Sequence, residues 1–316
     1  MLTNREVILA KIEVSYGVDP TPLPGTDAVL IENPAWAHEG ARMNERLGIR
    51  PSLGKLQQVF GGTLATVTFD VELKGAGVAY SASVLPELDA LLRMCALSST
   101  VDTTPSSESV TYAPASTAIE SGTIYYYQDG TRFILTGCRG NVSFAAEVGG
   151  VAKASFTITG HVLGSNPADV ALPTPTYDST VPPPVINGAF TIDSFTAVIN
   201  ALNFDLGNTV ATPPDLSDVN GFGEIQVTMR DVNGSFDPEH ELIATEDFIG
   251  NWKSGLSMAL ASGTIGANQY NSYALTMPAV YYREVAPGDR DGIRTLDLTF
   301  GATESTGDDE FSLVFN

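Results

Sequence analysis

Apolar and polar residues alternate with a period of two over much of the chain. In Thr66 to Lys74, Phe69, Val71 and Leu73 fall on one side and Thr68, Asp70, Glu72 and Lys74 on the other. That is the pattern of a strand with one buried face. Val7 to Val14 alternate loosely, and Ala28 to Glu32, Val110 to Tyr112 and Thr123 to Tyr127 read as further strands. Asp129-Gly130 then turns the chain into Arg132 to Leu135, a residue pair suited to a tight hairpin. A second hairpin joins Gly140–Glu147 to Ala154–Val162 through Val148-Gly149-Gly150. Later strands are predicted at Gly188–Ile192, Ala197–Ile199, Glu224–Arg230, Arg294–Thr299 and Phe311–Phe315.

Helical spacing is confined to two places. Pro86 to Leu97 places Leu88, Leu91, Leu92 and Cys95 on one stripe, with Pro86 at the first helical position and Glu87 at the positive end. A second helix is predicted to open at Pro238-Glu239, capped by Asp237, with Leu242, Ile243, Phe248, Ile249 and Trp252 as its apolar residues. The order strand, helix, closing strand thus occurs twice, with helix starts 238 − 86 = 152 residues apart. The reading is a duplicated β-rich unit. Proline-rich residues 164–184, with Pro182-Pro183-Pro184, form a stiff linker between residues 1–163 and 185–316.

Residues 33–62 have no clear period and carry Trp36, Arg42, Arg46, Arg50, Lys55 and Gln57. A long irregular segment of this composition suits an ordered arm against a neighbouring subunit; an intradomain loop is the alternative. The acidic stretch Thr303 to Glu310 is expected to be mobile.

Charge narrows the partners. The chain has 316 residues and a formal net charge of −21. Residues 1–165 hold 11 basic and 16 acidic side chains, and the remainder 5 and 21. Such acidity argues against tight nucleic-acid binding and against anionic membranes. It suits solubility, or a wall along which DNA slides without sticking. No apolar run is long enough for a membrane helix, and the N-terminus lacks a signal-peptide pattern, so a soluble cytosolic product is expected.

Candidate chemistry is sparse. Cys95 and Cys138 are expected to stay reduced, and His38, His161 and His240 have no metal-ligand spacing. Asp231-Val232-Asn233-Gly234 and Asp289-Arg290-Asp291-Gly292 share residue types with calcium loops but lack their spacing. Nucleophile-elbow, phosphate-loop and dinucleotide motifs are missing, so no cofactor and no enzymatic activity are expected.

Three phrases carry a resemblance: Ile8 to Pro22, Gly54 to Gly62, and Leu135 to Val142. They are similar to the major tail tube proteins of long-tailed, non-contractile bacteriophages, over about residues 2 to 163. The resemblance implies a mainly β fold, here two tandem tail-tube-type β-sandwich or barrel domains, each with a flanking α-helix. It implies a structural virion protein, assembled in the host cytoplasm, whose copies join into stacked rings conducting double-stranded DNA. Duplication turns the usual six chains per ring into three. The implied partners are further copies of the chain and the tail terminator, tail-tip and tape-measure proteins. Inter-ring contact then falls to the arm, through Trp36, Arg42, Arg46, Arg50, Lys55 and Gln57. The lumen, or an ordinary solvated face, falls to Asp70, Glu72, Thr157, Glu224, Gln226, Asp297 and Thr299. Alternatives are a tail-tip or hub component and a surface adhesin with tandem β domains.

Overall fold

A computed structural model describes residue 2, residues 4–163 and residues 167–316. The first three residues of the predicted linker, 164–166, lie outside the described residues, as do Met1 and Thr3 of the N-terminus. The first half runs β1 (Glu6–Ile12), β2 (Ala28–Val29), β3 (Glu32–Glu39), β4 (Met43–Asn44), β5 (Val59–Phe60), β6 (Leu64–Glu72) and α1 (Asp89–Met94). It continues with β7 (Leu97–Asp102), β8 (Ser109–Pro114), β9 (Gly122–Gln128), β10 (Thr131–Glu147), β11 (Lys153–Val162) and β12 (Ala168–Asp169). The second half runs β13 (Thr191–Ile192), β14 (Phe195–Thr196), β15 (Ala201–Asp205), β16 (Thr209–Ala211), β17 (Gln226–Met229), β18 (Asn233–Phe236) and α2 (Phe248–Ser254). It ends with β19 (Met258–Ile265), β20 (Tyr273–Arg290), β21 (Ile293–Ala302) and β22 (Ser312–Phe315).

The strands pair in the same order in both halves. The first sheet reads β2-β1-β9-β10-β11-β6-β3, antiparallel throughout. The second reads β14-β13-β19-β20-β21-β18-β15, also antiparallel. β12 pairs with the start of β10 as β22 pairs with the start of β20. A small hairpin, β4–β5 or β16–β17, sits in the connection before β6 or β18. The residues correspond too. Thr68-Phe69-Asp70-Val71-Glu72 matches Ser235-Phe236-Asp237-Pro238-Glu239: Phe69 lies opposite Phe156 as Phe236 lies opposite Leu298, and Glu72 opposite Lys153 as Glu239 opposite Thr295.

The two sheets are stitched together. Ser143–Glu147 of β10 pair with β15, and β8, on a hairpin peculiar to the first half, pairs with β22. At the first seam the Phe144 ring stacks on Phe204, centroids 4.5 Å apart and planes 15° from parallel. One hydrophobic cluster runs across the seam, from Phe69 and Phe156 through Leu202 and Phe204 to Phe236, Phe300 and Phe315. The pairings branch but never return on themselves, so the fold is mainly β without a closed barrel.

Several expectations change at residue level. The first helix is Asp89–Met94, shorter than Pro86–Leu97, because Ala96 takes a positive φ of 61° and Leu97 enters β7. Its stripe stands: Leu88, Leu91, Leu92 and Cys95 are fully buried. The second helix does not begin at Pro238. Asp237 accepts the Asn200 and Ala201 N–H groups, and Pro238 and His240 continue the ladder on Leu296 and Arg294. The helix starts ten residues later, where Asp247 caps the Gly250 N–H and Gly255, at φ 64°, closes the end. Glu224–Arg230 yields only β17, outside the main sheet, and β18 is the true counterpart of β6. The acidic stretch is tied down: Asp308 accepts from Ser116 and pairs with Arg230, which also holds Glu310.

Candidate assembly surfaces

The continuous sheet presents one polar face. Thr68 pairs with Thr157 and Asp70 with Ser155; Asn141 and Ser143 carry that face onto β10, and Asn203 and Asp205 onto β15. Ser235 and Thr299 extend it across β18 and β21, with Asp297 two residues on. Paired residues share a face. The expected lumen residues Asp70, Glu72, Thr157, Asp297 and Thr299 are therefore neighbours on one surface, assembled from both halves. Glu224 and Gln226 are not on it. Glu224 pairs with Arg139 at 2.9 Å, and Gln226 is exposed on β17.

The two small hairpins form arms whose bases touch. The Arg42 guanidinium lies 3.9 Å from the Phe222 ring centre and donates to the Gly221 carbonyl at 2.8 Å. Gly62 has φ 105°, and a Cβ there would stand 2.0 Å from the Asn220 carbonyl oxygen, so only glycine fits this crossing. Beyond its base the first arm is open. Arg46, Arg50, Lys55 and Gln57 are exposed, Arg50 donating to the Gly54 and Lys55 carbonyls and Lys55 facing Glu45. Leu47, Ile49 and Leu53 stand wholly in solvent. Trp36 is placed differently, on β3, half-buried beside Phe133 and Tyr126.

The buried polar groups hold loops together. Arg139 donates to the Glu120, Ile119 and Ile225 carbonyls and lies over the Tyr16 ring, while the Tyr16 hydroxyl accepts the Ile225 N–H at 2.6 Å. Burial pushes that hydroxyl up to about 12. Lys74 and Glu87 form an ion pair of 2.9 Å in the interior, and burial raises the Glu87 carboxyl against the pull of Lys74. Cys95 and Cys138 are buried free thiols, both pushed up by desolvation. Among the described residues, no group of three or more potential metal ligands occurs.

The chain thus presents a twice-built antiparallel sheet with one polar, carboxylate-bearing face and two arms that meet at their bases. A family model described as phage tail tube protein matches residues 3–302 of this chain. The chain belongs to the phage tail tube protein family. A comparison with curated protein sequences returned no match. The match covers both halves of the tail tube chain, including the second, where sequence phrases gave no resemblance. It makes the protein a structural component of a virion tail. No helix among its described residues is long and apolar enough to cross a membrane. What the sequence missed in this tail tube protein is the pair of arm bases, whose only signals were Gly61-Gly62 and Asn220-Gly221.

Proposed function

We propose that the protein is the repeating, non-enzymatic subunit of the tail tube. Three chains close a ring, each supplying two tube domains, residues 1–163 and 185–316 joined by the 164–184 linker. Rings stack into a hollow conduit through which double-stranded DNA leaves the virion. The polar sheet face lines the bore and the first arm, through Arg42, Arg46, Arg50, Lys55 and Gln57, reaches the next ring. Trp36 anchors the root of that arm. The tube starts on a tail-tip protein, encloses a tape-measure protein and is closed by a terminator, all in the host cytoplasm.

The repeated strand order carries this reading, since one chain then provides two equivalent positions around a ring. The acidic face supports the bore assignment, because like charge keeps phosphates from binding. Electron cryo-microscopy of assembled protein, or of virions, tests it through ring symmetry. Rings of three chains with six similar lobes are expected. Six chains per ring, or a single copy at the tail tip, would overturn it.

A further inference from the structure

The seam between β10 and β15 inside the chain has one partner missing on each side of the molecule. β15 is the outermost strand of the second sheet and sits against β10 of the first. By the repeated order, β3 is the equivalent outermost strand of the first sheet, and β20 the equivalent of β10. Among the described residues, β3 pairs only with β6, and Val285–Arg290 of β20 pair only with β21.

Backbone direction shows that both edges are open. Leu73 donates to the Ala152 carbonyl, so alternate residues of β6 face β11, leaving Thr66 and Thr68 to bond Ala37 and Ala35. Trp36 and His38 then point their peptide groups outward. Leu296 donates to Pro238, so Asp297 and Thr295 face β20 and engage Ala286 and Gly288. Val285, Pro287 and Asp289 are left pointing out. On β10 the corresponding edge is filled: Leu206 donates to Val142 and Val148 to Asn200.

We propose, building on the tube reading, that β3 of one copy pairs antiparallel with Val285–Asp289 of the next, in the register β15 uses on β10. Carrying the intrachain pairs across fixes the contacts. Ser143 opposite Asp205 becomes Ala286 opposite Ala37, and Phe144 opposite Phe204 becomes Pro287 opposite Trp36. The indole meets a pyrrolidine where phenylalanine stacks on phenylalanine within the chain. The contact is head to tail, so every added copy leaves one β3 and one β20 edge until the ring closes.

The edges are also restrained. Pro34 on β3 and Pro287 on β20 each lack an N–H, so each edge offers one donor fewer than a plain strand. Proline at an edge discourages indiscriminate strand pairing, while the Trp36–Pro287 contact supplies apolar area only to the correct neighbour.

Disulfide trapping tests the register. Ala37 and Ala286 would form a non-hydrogen-bonded pair, with Cα atoms about 4.5 Å apart and within the disulfide range. The double variant Ala37→Cys/Ala286→Cys, oxidised after assembly, should give a ladder of dimers ending at a covalent trimer. Cys95 and Cys138 are buried and do not compete. The pair Ala37→Cys/Glu284→Cys, shifted by two residues, stretches the separation to roughly 8 Å and should give no ladder. If the double variant fails to assemble, the two single variants mixed together should give dimers only. Tubes that form without crosslinks, or crosslinks favouring the shifted pair, overturn the edge assignment and leave the tube reading standing. Rings that form normally but crosslink only within one chain also overturn it. No assembly by the unaltered chain on a tail-tip initiator overturns both.

Discussion

The first arm offers the sharpest quantitative test. Leu47, Ile49 and Leu53 are 92%, 106% and 107% exposed, and no described residue covers them. Replacing all three with serine therefore removes no internal contact, and monomer stability should change by less than about 0.5 kcal/mol per site. If the arm docks on a neighbouring ring, each side chain contributes about 2 kcal/mol on burial, or about 6 kcal/mol together. Ordering an extended hairpin offsets roughly half of that, leaving about 3 kcal/mol, equivalent to a factor of about one hundred. The critical concentration for tube growth, measured by sedimentation and counted on micrographs, should rise by about that factor. The thermal midpoint of the unassembled chain should hold. An unchanged critical concentration at unchanged stability would refute the arm as an inter-ring contact.

Three further outcomes follow from other parts of the chain. Glu87→Gln leaves the buried Lys74 ammonium without its close partner and should cost about 3 kcal/mol in urea unfolding, while the joint change Lys74→Met/Glu87→Leu should return to within about 1 kcal/mol of the parent. The Asp308 carboxyl is held below its ordinary range by Ser116 and then Arg230, so its contribution is present above the usual carboxylate pKa and lost as pH falls through the lowered value; protease cutting within residues 303–309 should be absent at neutral pH, appear in acid, and occur at all pH values in Asp308→Asn. Reversing Asp70, Glu72 and Asp297 to Lys should permit assembly but slow DNA ejection in a salt-dependent way; ejection at the parental rate would mean the face does not line the bore.

The sequence made the sheets legible because most of their strands are half-buried. Alternation located β6 and the hairpin strands β10 and β11, the β-branched and aromatic run Thr123 to Tyr127 located β9, and Asp129-Gly130 located the turn between β9 and β10. The duplication was legible as element order but anchored on the wrong residues. Glu224–Arg230 alternates well, yet its β17 pairs only with β16, while the true copy of β6 hides in Ser235-Phe236-Asp237-Pro238-Glu239. Asp237-Pro238 has the chemistry of a helix start. Tertiary hydrogen bonds from Asn200 and Ala201 took the aspartate instead. The irregular composition predicts an arm from Asn33, but residues 33–39 belong to β3, and the chain leaves the sheet only at Gly40. No residue of β3 is fully buried and only Trp36 packs on the core, so its period is weak in the sequence. The seam at Phe144 and Phe204 could not be foreseen, because period alone says nothing about which strand lies beside which.

The placement of the two tryptophans gives the chain a built-in optical probe. Trp36 lies on the open edge of β3, its indole Nε1 buried without a partner, and Trp252 on α2 donates to the Arg283 carbonyl, next to the open edge of β20. These are the only indoles in the sequence, one on each side of the place where copies are proposed to meet. Intrinsic emission should therefore shift to the blue as edges pair, with growth followed in real time on unlabelled protein. Trp252→Phe would assign the signal to the β3 side alone, and Trp36→Phe to the β20 side.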